Sequence, residues 1–405
     1  MRTSVNHIHP LTHSPTYAFT HLRIHSFTHL HTMTILLAPD SFKDALSAED
    51  IAAALARGLK SARPDCRCIE LPLADGGEGT SFLLSRQKGG ELRELWVANP
   101  VGKRVKARYG LNKAEKEAYI ELAQASGIQL LKREERNPLY TSTFGTGELI
   151  LDAVRQGAKK ILLGIGSSST NDAGMGMAEA LGYTFYDASG KRLQASGEAM
   201  GHIHRIEMKG LQIDLNELEV KVICDVDNPL FGEKGAAKVY GPQKGANPKE
   251  VERLDEGLRN IAEVWKNTFA KDFSQVPGAG AAGGMGAGTM AFLGAELIPG
   301  GEAVMQILGL ENHLQSVDWV ITGEGQIDRQ SLHGKVIKGV VEKAQKYNVP
   351  VIGICGNLKA SPEEVREMGL QAAFSICRGP GTLEDALART EENVWRMGQM
   401  LAGLL

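Results

Sequence analysis

Val317-Asp318-Trp319-Val320-Ile321-Thr322-Gly323-Glu324-Gly325-Gln326-Ile327-Asp328 reads as an apolar strand that runs into a turn of glycines and carboxylates. Ile69-Glu70-Leu71-Pro72-Leu73-Ala74-Asp75-Gly76-Gly77-Glu78-Gly79-Thr80 repeats the pattern near the other end of the chain. Open α/β sheets carry their ligands at the carboxyl ends of strands. Glycine there lets backbone N–H groups approach an anion without a Cβ in the way. A carboxylate in the same turn can hold a hard cation such as Mg²⁺ or take a proton from a hydroxyl. A third such stretch, Cys224-Asp225-Val226-Asp227-Asn228-Pro229, joins them. Together they predict a cleft for a charged, oxygen-rich substrate.

Outward from these turns, the chain alternates strand and helix. Thr34 to Ala38 is a short apolar run ending at Pro39-Asp40, a buried strand, and Ser47 is placed to cap the helix that follows. Val317 to Thr322, Pro350 to Cys355 and Gln371 to Cys377 are further strand candidates; Gly334 to Tyr347, Ser361 to Met368 and Leu383 to Leu401 are helix candidates. Such alternation predicts βαβ units and a parallel sheet. In the middle, Leu92 to Val97, Val105 to Leu111 and Ala118 to Glu121 predict a meander. Gly145 to Gln156 and Pro248 to Phe269 predict helices, and Lys160 to Ile165 and Val220 to Cys224 strands. The expected organisation is α/β: a discontinuous parallel-sheet domain from residues 33–75 and 291–405, and a second, inserted α/β domain from residues 76–290. The ligand is expected between the two, a common place for pockets.

Composition limits the partners. Apolar content of 42%, charged content of 23% and a net charge of −3 are those of a globular protein with no reason to seek nucleic acid or an anionic membrane. No run is long and apolar enough to span a bilayer. The 47 glycines gather in turns after predicted strands, which favours α/β architecture over low complexity. The five cysteines show no paired CxxC spacing for structural zinc. Cys355 and Cys377 fall within apolar strands and read as buried thiols, and a cytoplasmic, reduced setting is expected. Residues 1–32 differ: they hold seven of the eleven histidines and no acid. A metal site at His21, His25 and His29 is one reading. An unstructured extension ahead of Met33 is the favoured one, because no carboxylate or cysteine completes a site; the acid-free, Ser/Thr-rich composition is also that of a transit peptide.

Asp40-Ser41-Phe42-Lys43 follows the first strand. Asp40 can bind a metal or a substrate hydroxyl and Lys43 a phosphate, against the plainer reading that Asp40 and Ser41 shape the turn. Gly166-Ser167-Ser168-Ser169-Thr170-Asn171-Asp172-Ala173-Gly174 opens a helix, and its hydroxyls exceed what one N-cap needs. Ser168, Thr170, Asn171 and Asp172 are therefore expected to meet an anion at the helix N-terminus. Gly278 to Gly288 contains a formal GxGxxG, with Gly280, Gly283 and Gly284, but no clear strand precedes it. A hinge, a close-packed turn or a phosphate-cradling loop is favoured there over a dinucleotide site. Lys244, in Gly241 to Ala246, and Lys335, beside Gly334, are candidates to neutralise a polyphosphate. No Walker A sequence is present.

APDSFK at Ala38–Lys43, PLADGGEGT at Pro72–Thr80, CDVDNPL at Cys224–Leu230, GPQKGA at Gly241–Ala246, GAGAAGG at Gly278–Gly284 and TGEGQID at Thr322–Asp328 together closely resemble the class I glycerate kinases. IELAQASG at Ile120–Gly127 is a further match. The resemblance runs from about Met33 to the C-terminus. It implies a Rossmann-like larger domain and ATP-dependent phosphorylation of D-glycerate, usually to 2-phosphoglycerate. On that reading Asp75 or Asp225 stands near the glycerate hydroxyl, and Glu324 and Asp328 near Mg²⁺. Lys43, Lys244 and Lys335 contact phosphate or carboxylate, and Glu78, Asp227 and Asn228 belong to the binding site. A homo-oligomer is possible. The family commonly reads GGSATNDGG where this chain has Ser167, Ser169 and Ala173. Two alternatives remain: an NAD-dependent hydroxyacid dehydrogenase resting on the GxGxxG, and a non-catalytic metabolite sensor on the same scaffold.

Overall fold

Ile35, Leu36, Leu37 and Ala38 have no exposed surface in the computed structural model of the chain. Strand β1 (Thr34–Pro39) must therefore be covered on both faces, as a central parallel strand is. Leu36 and Ala38 join one apolar core and Ile35 and Leu37 another, the period-two division that a pleated strand imposes. The structure describes residues 32–405 apart from Asp44, Glu78, His333, Gly334 and Pro380, and of Gln330, Leu332 and Lys335 the backbone alone. The expectations for residues 1–31 lie outside the described residues, as does the candidate Glu78.

The strands that follow are β2 (Arg67–Glu70), β3 (Glu91–Ala98), β4 (Arg104–Asn112), β5 (Glu117–Glu121), β6 (Lys160–Gly164) and β7 (Thr184–Tyr186). After them come β8 (Arg192–Leu193), β9 (Arg205–Glu207), β10 (Glu219–Ile223), β11 (Glu296–Ile298), β12 (Trp319–Ile327), β13 (Val351–Leu358) and β14 (Ala372–Ser375). The first sheet has the order β14-β13-β12-β1-β2, and every neighbouring pair is parallel. The chain leaves β1 toward one edge and returns at β12 to build toward the other. The topological switch point, where such sheets bind ligands, lies between β1 and β12. The second sheet, β11-β10-β6-β5-β4-β3, is parallel from β11 to β5 and antiparallel through the β3-β4-β5 meander. A small antiparallel sheet, β8-β7-β9, completes the set.

Helices cover the first sheet on both sides. Helix Ala48–Ala62 starts where Ser47 accepts the Asp50 N–H. It buries Ile51, Leu55 and Leu59, one face at i, i+4, i+8, in the core shared with Val394, Met397 and Leu401 of helix Thr390–Ala402. The opposite core takes Val336, Ile337 and Val340 from helix Lys335–Lys346, but also Tyr119, Leu162 and Ile223 from the second sheet. One apolar core therefore runs beneath both sheets, within a single compact unit, Met33–Leu405.

Three expectations are corrected. Gly323-Glu324-Gly325 is not a turn: β12 continues through it to Ile327, paired with β13 as far as Leu358. Glycine is there for close approach, since a Cβ on Gly323 would lie 2.3 Å from the Ile354 carbonyl oxygen. The candidate helix Leu383 to Leu401 is two helices, Leu383–Ala388 and Thr390–Ala402, separated at Arg389 (φ −105°, ψ 11°). Cys377, expected buried, is exposed because β14 has already ended at Ser375.

Candidate active site

Asp40 stands at the carboxyl end of β1, with its N–H donating to Gly323 O at 2.8 Å, so it straddles the switch point. Its carboxylate accepts the Ser41 N–H at 2.6 Å, and Ser41 thereby helps hold the turn. Burial, and then the negative charge of Asp75, push the Asp40 pKa up to about 7; the Glu324 charge adds to this and the Ser41 N–H opposes it. Glu324 is raised as well, first by burial, then by the charges of Asp328 and Asp75, while its hydrogen bond from the Ser331 hydroxyl at 2.5 Å pulls it back. Carboxylates from residues 40, 75 and 324 thus meet within electrostatic reach of one another, and Asp328 reaches Glu324. Lys43, exposed, follows in the same turn, with its backbone N 3.6 Å from where a Gly325 Cβ would lie. Lys335 begins a helix beyond Arg329–Leu332; its side chain lies outside the described residues.

A cavity of about 460 Å³ opens at the carboxyl ends of β6 and β10. Asp75 and Gly76 form one wall, Asp225 a second, and Ser167, Ser168 and Lys244 a third. Asp75 therefore belongs both to the cavity and to the carboxylate group at the switch point. Its Oδ1 accepts the Gly77 N–H at 2.8 Å, which fixes the turn. Asp225 Oδ1 accepts the Gly300 N–H at 2.8 Å, at the start of helix Gly300–Ile307, where a negative charge is favoured. Tyr240, also on the cavity wall, donates its hydroxyl to Asn228 Oδ1 at 2.6 Å, so Asn228 sits behind Tyr240 and does not line the cavity itself. Asp227 is exposed beside it and does not line the cavity; its charge contributes to a raised Tyr240 pKa, after burial and Cys224.

Lys244 is 3% exposed. Its ammonium donates to the Thr170 carbonyl at 2.7 Å and to Ser168 Oγ at 3.3 Å. Burial pushes its pKa down to about 7, against the supporting charge of Asp172.

The structure does not bring every candidate to the cavity. Thr170, Asn171 and Asp172 are fully buried behind the Ser167–Ser168 wall. Asp172 accepts the Thr143 N–H and hydroxyl and the Gly174 and Gly176 N–H groups. Its donors are all protein, so Asp172 serves loop packing, while the buried Asn171 amide has no hydrogen-bond partner among the described residues. The helix it opens, Met175–Leu181, has only seven residues and a left-handed Gly174 at its N-cap. Gly280, Gly283 and Gly284 are likewise buried. A Cβ on Gly280 would lie 2.2 Å from Pro229 O, and one on Gly283, at φ +73°, 2.0 Å from Thr170 O. These glycines form a close-packed turn, and Ala281 and Ala282 are what face the cavity. Residues not foreseen include Tyr240, Ser167 as a wall residue, and Glu121. Glu121 is 4% exposed, accepts the Ser81 N–H at 3.0 Å and lies with Gly76 and Ser167 around a small adjoining pocket. Its signal was a carboxylate ending the apolar run Ala118-Tyr119-Ile120.

The profile of the Glycerate kinase family matches residues 35–405. The chain belongs to the glycerate kinase family. The Glycerate 2-kinase of Escherichia coli K12 is 45% identical over 92% of this chain and 98% of that protein. A Glycerate kinase of Halalkalibacterium halodurans is 45% identical over 87% of this chain and 93% of that one. A crystal structure from Salmonella typhimurium LT2, described as a glycerate kinase 2, superposes with a TM-score of 0.85 at 44% identity, covering 92% of this chain and 98% of that one. The activity is that of a kinase, a phosphotransferase using ATP. The dehydrogenase reading falls, since no strand leads into the Gly278–Gly284 turn. No helix among the described residues is long and apolar enough to cross a membrane.

Proposed function

We propose that the protein transfers the γ-phosphoryl group of ATP to D-glycerate and releases 2-phosphoglycerate. The meeting of carboxylates from residues 40, 75 and 324 beside the cavity carries this reading, because phosphoryl transfer is mainly positioning and charge compensation. The name of the Escherichia coli relative supports the 2-position.

The donor set fits Mg²⁺. Glu324 and Asp328 are hard oxygen ligands at the switch point, and Mg²⁺ needs only one or two carboxylates when phosphates and water complete its shell. Among the described residues no three of His, Cys, Asp and Glu form a protein cage, so those other ligands would be required. When bound, the ion would neutralise phosphate charge. Asp75 takes the hydroxyl proton as the glycerate oxygen bonds to phosphorus and the bond to the ADP oxygen breaks. Asp225, fixed by the Gly300 N–H, orients the glycerate. Lys43, Lys244 and Lys335 bind phosphate or carboxylate.

The same reading includes a cytoplasmic location and the division of the fold into residues 33–75 with 291–405, and 76–290. The pairing of β11 with β10 favours a boundary after Ile298. A homo-oligomer fits the half-exposed Leu92 and Trp96 on the edge strand β3. The test of the reaction is a ³¹P spectrum of the product formed from D-glycerate and ATP, with Asp75→Asn in parallel. The variant should lose at least roughly a hundredfold in kcat with little change in Tm. A 3-phosphoglycerate product would overturn the regiochemistry, and near-normal turnover of the variant would remove Asp75 from the proton transfer.

A further inference from the structure

The cavity wall contains three consecutive backbone donors that the carboxylate chemistry does not use. Gly166, Ser167 and Ser168 all line it. The neighbouring groups are engaged: Ser167 O accepts the Ile128 N–H at 2.9 Å, and the Ser169 N–H donates to Ser126 O at 3.0 Å. The N–H groups of Gly166, Ser167 and Ser168 donate to nothing among the described residues. Ser167 has φ +54° and is exposed. A side-chain-bearing residue holds that conformation at a cost, and a left-handed residue in a turn is what lets successive N–H groups share a concave, anion-binding face.

A buried cation lies behind the same turn. Lys244 spends two of its three ammonium hydrogens on Thr170 O and Ser168 Oγ. It is almost wholly out of solvent, yet it contributes to the cavity wall. Its charge is therefore weakly screened behind the cavity wall. The rest of the wall joins apolar Ile128, Ile165 and Ile223 with Asp75, Asp225, Tyr240 and Gln243, so Lys244 is the cation of this lining and the three N–H groups are donors beside it.

We propose that the backbone N–H groups of Gly166, Ser167 and Ser168, backed by the Lys244 ammonium, form an oxyanion subsite that takes a phosphate or carboxylate group of the ligand in this cavity. The proposal rests on the reading of the cavity as the reaction site.

The test is amide-resolved NMR of the full ¹⁵N-labelled chain titrated separately with inorganic phosphate, a non-hydrolysable ATP analogue and D-glycerate, with turnover measured on the same preparation. Downfield movement of the Gly166, Ser167 and Ser168 amides, saturating with ligand, is expected. Movement with phosphate and the nucleotide assigns the subsite to phosphate, and movement with D-glycerate alone assigns it to carboxylate. Lys244→Met should weaken binding of the anion by about 10- to 100-fold; if that variant does not fold, the wild-type titration decides alone. Amides that stay still under every ligand while the enzyme turns over would overturn the subsite and leave the kinase reading intact. Amides that move in a protein that never phosphorylates D-glycerate would keep the subsite and overturn the kinase reading.

Discussion

Asp172→Ala should cost the protein stability and not ligand affinity. The side chain has no exposed surface. It accepts the Thr143 N–H at 2.7 Å, the Thr143 hydroxyl at 2.8 Å, the Gly176 N–H at 3.1 Å and the Gly174 N–H at 3.2 Å. Burial raises its pKa and those donors pull it back. Truncation strands the donors and takes from Lys244 the charge that opposes its desolvation. Removing one member of a buried charged network costs about 3–5 kcal/mol, and a stranded donor about 1–3 kcal/mol, so about 4 kcal/mol is a fair expectation after the loop relaxes. At ~2.1 cal/mol/K per residue over roughly 370 residues, that is about 5 °C in Tm for a cooperative transition. Differential scanning calorimetry reads it, with Asp172→Asn as the milder variant, since an amide still accepts at one oxygen. A Tm within about 1 °C of wild type, joined to a large rise in KM for either substrate, would refute the reasoning and return Asp172 to the ligand.

Asp40 should make the ligand-free enzyme less stable as pH rises. Its folded pKa, about 7, lies above the ordinary carboxylate value, so its stabilising contribution is complete below about pH 4 and is lost as pH climbs through 7. Asp40→Asn should remove that slope, on the order of 2–4 kcal/mol at pH 8, in denaturant titrations at several pH values; parallel curves for the two proteins would contradict it. EDTA should abolish turnover and Mg²⁺ or Mn²⁺ restore it, with the cation also raising the Tm of the ligand-free enzyme by relieving the repulsion at Glu324. Full activity in metal-free buffer would count against the ion. Ser167→Gly should stabilise by about 0.5–1 kcal/mol, because glycine adopts φ +54° without the Cβ penalty; an unchanged or lower denaturation midpoint would mean that the Ser167 side chain compensates for its strain.

What could be read in the sequence follows the physics of each residue. Helix Pro248–Phe269 is found at its predicted ends because its start carries three agreeing signals: Asn247 as cap, Pro248 at the first position and Glu250 closing the box. β1, β6, β10, β12 and β13 were legible as apolar runs, whereas β11, only Glu296–Ile298 and partly exposed, was not foreseen. Gly323-Glu324-Gly325 misled because glycine marks both turns and close strand approach, and only the Ile354 carbonyl distinguishes the two. The same ambiguity governs the site. Asp75, Asp225, Ser168 and Lys244 line the cavity. Thr170, Asn171 and Asp172 were placed there too, since a polar residue reads alike whether its donors come from a ligand or from a neighbouring loop. Thr143, which supplies two of the donors to Asp172, is distant in sequence, and no local pattern announces it.

The placement of the carboxylates depends on the core beneath them. Ala38 precedes Asp40 by two residues, Leu73 precedes Asp75 by two, Ile223 precedes Asp225 by two, and Ile327 immediately precedes Asp328. All four apolar residues are at most 4% exposed, and all four belong to one cluster. That cluster draws on both sheets, so the spacing between the switch-point carboxylates and the cavity is set by packing rather than by the loops themselves. Close-packed interiors transmit sub-ångström changes, and phosphoryl transfer loses rate steeply when reacting groups are displaced by an ångström. Burial first, and then neighbouring negative charge, raise Asp40 and Glu324, so the site is held against its own charge. The shared core under both sheets opposes that repulsion and holds these carboxylates in place.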